Sequence, residues 1–352
     1  MQSYFKILFL LMTAMFFFTF TYFWLRSSVT QDFEQLKLLP KVQPKLDFIK
    51  YKEELWQKLR KSGKMFVPSN TSGEIPDCPE IPPDLSPLNV HYIPNITYIK
   101  IVSQNPNVGP GGHGKPEGCK ARQKVALIIP FRDRDSHLRN WLYYMHPFLK
   151  AQQADYGIYV VEQSEGSMFN RAKLMNVGYV LASNDYDYNC FIFTDVDIIP
   201  MDQRNLYRCS SNPKHMANAL DKFNFILPYP NLFGGIVAFT KEQFTKVNGF
   251  SNMFWGWGGE DDELYQRVVA VGMKVERPDL IIARARMISH NRDAGNEETG
   301  KSVHLIFKAS QRMYKDGLNT LNYTIIGITG HKLFTKITVD VGTEQSNPVP
   351  PA

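Results

Sequence analysis

The most unusual run in the chain is Phe254-Trp-Gly-Trp-Gly-Gly-Glu-Asp-Asp262, where glycines separate two indoles and three acids follow at once. Glycine among tryptophans disfavours both helix and strand, so the run reads as a turned, adjustable loop leading into a helix over about 262–271. Acids at a helix start complement its N-terminus electrostatically. That accounts for Glu260, Asp261 and Asp262 but not for Trp255 and Trp257. Indoles beside carboxylates suit a sugar: the ring packs on the apolar face of a pyranose, the acids accept its hydroxyls, and one acid can act as general base for an attacking hydroxyl. A loop of this composition can close over a bound ligand. The second constellation is Asp195-Val-Asp197. An isolated D-x-D is usually a solvated strand end, but two hard oxygen donors also suit Mn²⁺ or Mg²⁺ bridging a diphosphate. Arg132, Arg134 and Arg171 supply the cations that phosphate and nucleotide need.

Such residues work only if a scaffold brings them to one edge. From Lys124 onward the chain alternates: an all-apolar strand at 125–129, a helix at 137–149, a strand at 157–162, a helix at 169–184, and a strand at 190–194 that runs straight into Asp195. Strand and helix in alternation predict a parallel α/β sheet covered on both faces, with ligands gathered at the carboxyl ends of its strands. Arg132 and Arg134 follow the first strand, Arg171 opens the second helix, and the D-x-D follows the third strand.

The remainder of the chain bounds the class and the compartment. With 43% hydrophobic, 13% aromatic and 21% charged residues, the 352-residue chain is too apolar for disorder and too charged for a bundle of membrane spans. The excess of 40 Lys and Arg over 34 Asp and Glu is small and forms no basic stripe, so no nucleic-acid partner is expected. More than half of the prolines lie between Pro40 and Pro116, which predicts a linker, with a short amphipathic helix near 48–60, ahead of one large domain. Residues 7–25 are uncharged and bracketed by Lys6 and Arg26, close to the ~20 residues that span a bilayer. Bulky Phe23, Trp24 and Leu25 stand where a cleavage site would need small residues, so the segment reads as an uncleaved signal-anchor with the bulk of the chain luminal. Flanking charge does not decide that orientation. Cys78, Cys119, Cys190 and Cys209 do favour it, as an even set without C-x-x-C that fits two disulfides in an oxidising lumen. Three pairings are open, and the sequential one closes the shortest loops. Sequons at Asn70, Asn95 and Asn322 agree with luminal exposure.

Phe131-Arg-Asp-Arg134, Phe169-Asn-Arg-Ala-Lys173, Asp195-Val-Asp197, Phe233-Gly-Gly235, the Trp255 to Asp262 run and Met287-x-x-His290 resemble the β-1,4-galactosyltransferase family in order and spacing, over about 78–342. The resemblance implies a GT-A glycosyltransferase fold, a twisted and mostly parallel nucleotide-binding sheet flanked by helices. It also implies type II Golgi topology: a cytoplasmic tail at 1–6, the anchor at 7–25, a stem at 26–77, the catalytic domain at 78–345 and a tail at 346–352. By the same resemblance Pro130, Phe131, Arg132, Arg134, Phe169, Arg171, Asp195, Val196, Leu232, Gly235 and Trp257 meet the UDP-sugar. Asp197, Met287 and His290 ligate Mn²⁺; the thioether is a ligand that donor softness alone would not suggest. Asp261 is the catalytic base, while Phe223, Tyr229, Gly258, Gly259, Glu260, Asp262 and Ile306 meet the acceptor. The cysteines match the family pairing of Cys78 with Cys119 and Cys190 with Cys209.

The implied reaction is inverting transfer of galactose from UDP-galactose to the 4-hydroxyl of a terminal N-acetylglucosamine, on a protein or lipid glycan. A homodimer is compatible with the sequence. Two positions depart from the family pattern. Leu232 stands where galactose-specific vertebrate members carry Tyr and N-acetylgalactosamine-transferring relatives carry an aliphatic residue; losing the phenol removes a hydroxyl donor and leaves volume near the sugar's 2-position, which points to UDP-N-acetylgalactosamine as the alternative donor. Ser302 and Val303 replace Arg and Phe beside the acceptor's N-acetyl group. Readings from other classes are a membrane-anchored lectin-like adhesion protein, which would be expected to have lost Asp261 or a metal ligand, and a glycoside hydrolase, which would need no nucleotide.

Overall fold

The computed structural model describes residues 75–290, 295–298 and 302–344; the expected anchor at 7–25, the stem helix at 48–60, the sequon Asn70 and the tail at 346–352 lie outside the described residues. Among the described residues no helix is long and apolar enough to cross a membrane. A first helix, α1 (Tyr98–Gln104), is capped by Thr97, whose hydroxyl accepts the Lys100 amide. The alternating region then follows as read: β1 (Lys124–Phe131), α2 (Asp135–Ala151), β2 (Asp155–Gln163), α3 (Arg171–Asp185) and β3 (Cys190–Thr194), with ends within two residues of the expected ones. After it come β4 (Ile198–Pro200), β5 (Lys214–His215), β6 (Ala219–Leu220), β7 (Ile236–Thr240), α4 (Lys241–Lys246) and α5 (Glu260–Ala270). The chain continues through β8 (Arg284–Met287), α6 (Ser302–Phe307), α7 (Ala309–Arg312), β9 (Thr324–Gly330) and β10 (Thr335–Asp340).

The main sheet has seven strands in the order β5-β7-β3-β1-β2-β10-β9. Its middle, β3-β1-β2-β10, is parallel. The outer pairings β3·β7, β5·β7 and β10·β9 are antiparallel, so the sheet is mixed. After Lys124, β1 is apolar because of its place in the middle: Val125, Leu127, Ile129 and Phe131 face one core with Leu138, Trp141, Met145 and Phe148 of α2, while Ala126 and Ile128 face the other with α3. A second, three-stranded sheet, β4-β8-β6, branches off just past the D-x-D. The disulfides are Cys78–Cys119 and Cys190–Cys209, the second tying the start of β3 to the segment before β5.

Candidate active site

The carboxyl ends of β1 and β3 lie side by side, and the chain turns between the two sheets where β3 stops. The Asp195 amide donates to Gly235 O at 3.0 Å, and Ile198 then pairs with Met287 across the second sheet. The Ile288 amide returns to Asp197 O at 2.8 Å. This register brings Asp197 and Met287 together although 90 residues part them, and three residues farther on His290 Nε2 reaches Asp197 Oδ2 at 3.0 Å. Asp197 is 6% exposed, so its carboxylate is not a solvated strand end. The Asp197 carboxylate and the His290 imidazole are donors that suit Mn²⁺ in an open site, whereas the Met287 thioether is a soft donor that does not by itself select this ion. Among the described residues no group of three or more His, Cys, Asp and Glu forms a metal cage.

Arg171, at the start of α3, is held between two acids from distant segments: its Nε donates to Asp195 Oδ1 at 2.6 Å and its Nη1 to Glu260 Oε1 at 3.0 Å. Its guanidinium therefore joins the D-x-D to the acidic helix start. Arg132 stacks over the Phe169 ring at 4.9 Å and donates to the backbone oxygens of Ser167 and Gly295. Pro130, Phe131 and Val196 are buried around the strand ends, and Arg134 stands just before α2.

The Trp-Gly loop is a loop, as its composition predicts. Gly258 and Gly259 adopt φ of 98° and 95°, a left-handed conformation that side chains rarely take, and Gly259 is the N-cap of α5. The helix therefore starts at Glu260 rather than Asp262, and all three acids fall in its first turn. Their surroundings differ. Glu260 is 8% exposed and bound to Arg171, and its Oε2 is buried without a hydrogen-bond partner. Asp262 accepts the Tyr229 hydroxyl at 3.0 Å. Asp261 accepts, among the described residues, only the Asp262 amide at 3.0 Å, and its Oδ2 lies against Gly234. Burial pushes the Glu260 carboxyl up to about 7, with the Asp261 charge adding and Arg171 opposing. Burial likewise raises Asp195, against the pull of Arg171, and raises Asp262, helped by the Asp261 charge. Tyr229 is raised by burial and then by Asp261 and Asp262.

Trp257 is half-exposed beside this turn, its amide bonded to Glu297 O at 3.0 Å. Phe223 and Tyr229 are exposed, Leu232 and Ile306 half-buried, and Gly235 takes φ 75° against Ile198. Trp255 differs from its expected place beside a sugar. It is 3% exposed in the core under α3, with Lys173 Nζ 5.9 Å from its ring; Gly256, at φ 82°, turns the chain between the two indoles, so that Trp255 is buried and Trp257 is not. Sequence reading also missed Asp221, whose Oδ1 accepts the Met287 amide at 2.8 Å, and His137, whose ring meets His290 edge-on at 5.5 Å. Neither lies in a motif; only the tertiary register brings them to the site.

Comparison with known proteins agrees with this geometry. A model of the N-terminal region of glycosyl transferase group 7 matches residues 78–210, and one described as the N-terminal domain of galactosyltransferase matches 214–291. Beta-1,4-galactosyltransferase 1 of Bos taurus is 50% identical over 278 residues, 79% of this chain and 69% of that one. The Homo sapiens protein of the same name is 48% identical over 278 residues, 79% of this chain and 70% of that one. Among solved structures, a mutant of Drosophila β-1,4-galactosyltransferase 7 in complex with manganese, UDP-galactose and xylobiose superposes with TM-score 0.56 at 31% identity, over 62% of this chain and 94% of that one. Half-identical sequence over 79% of the chain, on a shared fold, makes this chain a member of the β-1,4-galactosyltransferase family of glycosyltransferases.

Proposed function

We propose that the chain transfers galactose from UDP-galactose to the 4-hydroxyl of a terminal N-acetylglucosamine, with inversion to a β1,4 linkage, as a Mn²⁺-dependent type II membrane protein whose catalytic domain faces the Golgi lumen. The observation that carries this reading is the division of the three acids. Glu260 is held by Arg171 and Asp262 by Tyr229, which leaves Asp261 as the carboxylate positioned to take a proton. Asp261 removes the proton from the acceptor hydroxyl as that oxygen bonds to the anomeric carbon from the face opposite the leaving group. The bond from the anomeric carbon to the β-phosphate oxygen breaks, its electron pair leaves with UDP, and no covalent enzyme intermediate forms. Asp197, Met287 and His290 would hold Mn²⁺, which when bound stabilises charge on the departing diphosphate. Arg171 holds Asp195 and Glu260 in place and opposes the protonation that their burial favours, and Trp257 offers an exposed indole to the sugars.

A second donor, UDP-N-acetylgalactosamine, is favoured by Leu232, a half-buried aliphatic side chain beside Phe233-Gly-Gly235. Turnover of each UDP-sugar with an N-acetylglucosamine acceptor, with Mn²⁺ and after chelation, tests the proposal. Acceptor-dependent, chelator-sensitive release of UDP supports it. Sugar release that needs neither nucleotide nor ion contradicts it.

A further inference from the structure

Outside the residues assigned to the reaction, Glu263, Arg267, Arg312 and Asp316 form a charge cluster in which each residue is no more than 7% exposed. Arg267 Nε donates to Glu263 Oε2 at 2.7 Å and Arg312 Nη2 to Glu263 Oε1 at 3.0 Å. Asp316 Oδ2 accepts from Arg312 Nε at 3.2 Å and lies 3.4 Å from Arg267 Nη2. Two acids and two bases balance. Buried ion pairs of this kind add little stability over an apolar cluster of the same volume, so stability alone does not explain the arrangement.

What the cluster touches does. Asp316 accepts the Ser251 hydroxyl and, at 2.9 Å, the Asn252 amide, which form the base of the Trp-Gly loop. Glu263 and Arg267 belong to α5, whose first turn carries Glu260, Asp261 and Asp262. Arg312 Nη1 donates to Leu305 O at 3.0 Å. Leu305 is in the last turn of α6, where helix carbonyls have no partner within the helix, and a cation there also suits the negative end of the helix dipole. One guanidinium thus caps the helix that carries Ile306 while gripping the helix that carries the acids.

The geometry points to Arg312 as a positioning residue for acceptor recognition: fixed by Glu263 and Asp316, it sets α6 against α5 so that an acceptor sugar meets Ile306 and the acidic turn in a single geometry. This rests on the reading above that the acceptor lies between those two elements. Arg312 makes no hydrogen bond to Arg132, Arg171 or Asp195; among the described residues its link to the UDP side runs only through α5 and the Glu260–Arg171 pair, while its hold on α6 is direct.

The test uses the full chain with Arg312→Lys, which keeps the charge but lacks the planar fork, and Glu263→Leu with Arg312→Met, which removes one acid and one base together so that neither is left buried alone. Three quantities are read: the KM for N-acetylglucosamine, the affinity for UDP with Mn²⁺, and hydrogen exchange of the amides of residues 303–308. In both variants the acceptor KM rises about tenfold, UDP affinity is unchanged and exchange at 303–308 quickens. An unchanged acceptor KM, or a loss of UDP affinity in step with it, overturns the assignment. If the wild-type protein transfers nothing to N-acetylglucosamine, the function reading is wrong instead. The brace is then judged by exchange alone, and protection at 303–308 equal to wild type overturns it.

Discussion

Glu260, Asp261 and Asp262 are neighbours in sequence with three different surroundings, and the chemistry divides along the same lines. Glu260 is buried and engaged by Arg171, and Asp262 is engaged by the Tyr229 hydroxyl, whereas Asp261 has only a backbone amide as partner among the described residues. Asp261→Asn should therefore lower transfer by about 10²–10⁴-fold, the usual range for a lost general base, while calorimetry finds UDP and Mn²⁺ binding as in the wild type. Turnover within a few-fold of wild type would remove Asp261 from the role of base. Leu232 belongs to the same scale. Leu232→Tyr restores a phenol near the donor sugar and should lower the ratio of UDP-N-acetylgalactosamine to UDP-galactose turnover by about tenfold. A ratio that does not move would show that position 232 does not select the donor. The presence of these acids and of Leu232 was legible in the sequence. Which acid is held and by what was not, because Arg171 and Tyr229 reach them from segments 89 and 33 residues away.

At the scale of elements, β1, β2 and β3 of the parallel middle were legible, β1 and β3 because a strand buried on both faces is apolar along its length, as these are apart from Lys124 and Thr194; β10 was not read. The antiparallel edges were not. β9 is half-exposed, and β5 and β6 have two residues each, too few to show a period. The small sheet was equally hidden, yet its register is what sets Met287 opposite Ile198, next to Asp197. Close approach between elements also shapes the site. A Cβ on Gly234, just before β7, would stand 2.4 Å from Asp261 Oδ2, so the loop entering β7 sets where the carboxylate of α5 can lie. Gly234→Ala should push that carboxylate aside and reduce kcat by about tenfold or more, with UDP affinity retained. A normal kcat in this variant would mean that Asp261 tolerates displacement, which a proton acceptor in hydrogen-bond contact does not.

For the molecule as a whole, stability and function draw on different parts. His146 is fully buried between Tyr156 OH at 2.8 Å and Leu333 O at 3.0 Å, far from the acids in sequence, and burial pushes its imidazole down to about 4 with the Leu333 carbonyl opposing. Its ordinary value is about 6.5, so between pH 4 and 6.5 the unfolded chain binds more protons than the folded one. Stability is complete above about pH 6.5 and falls by about 1.4 kcal/mol per unit below it, about 3 kcal/mol in all from this residue. Denaturant unfolding at pH 7.5 and pH 5 should show the loss, and His146→Gln should shrink it by about 2 kcal/mol. An identical pH dependence in the variant would place the titrating group elsewhere. The central claim is the transfer itself, and the linkage of its product is the most direct measurement of it. With UDP-galactose, Mn²⁺ and N-acetylglucosamine, NMR of the product should show a β-configured galactose on oxygen 4, formed by the wild-type protein and not by Asp261→Asn. An α-linked product, attachment at another oxygen, or free galactose with an unmodified acceptor would contradict it.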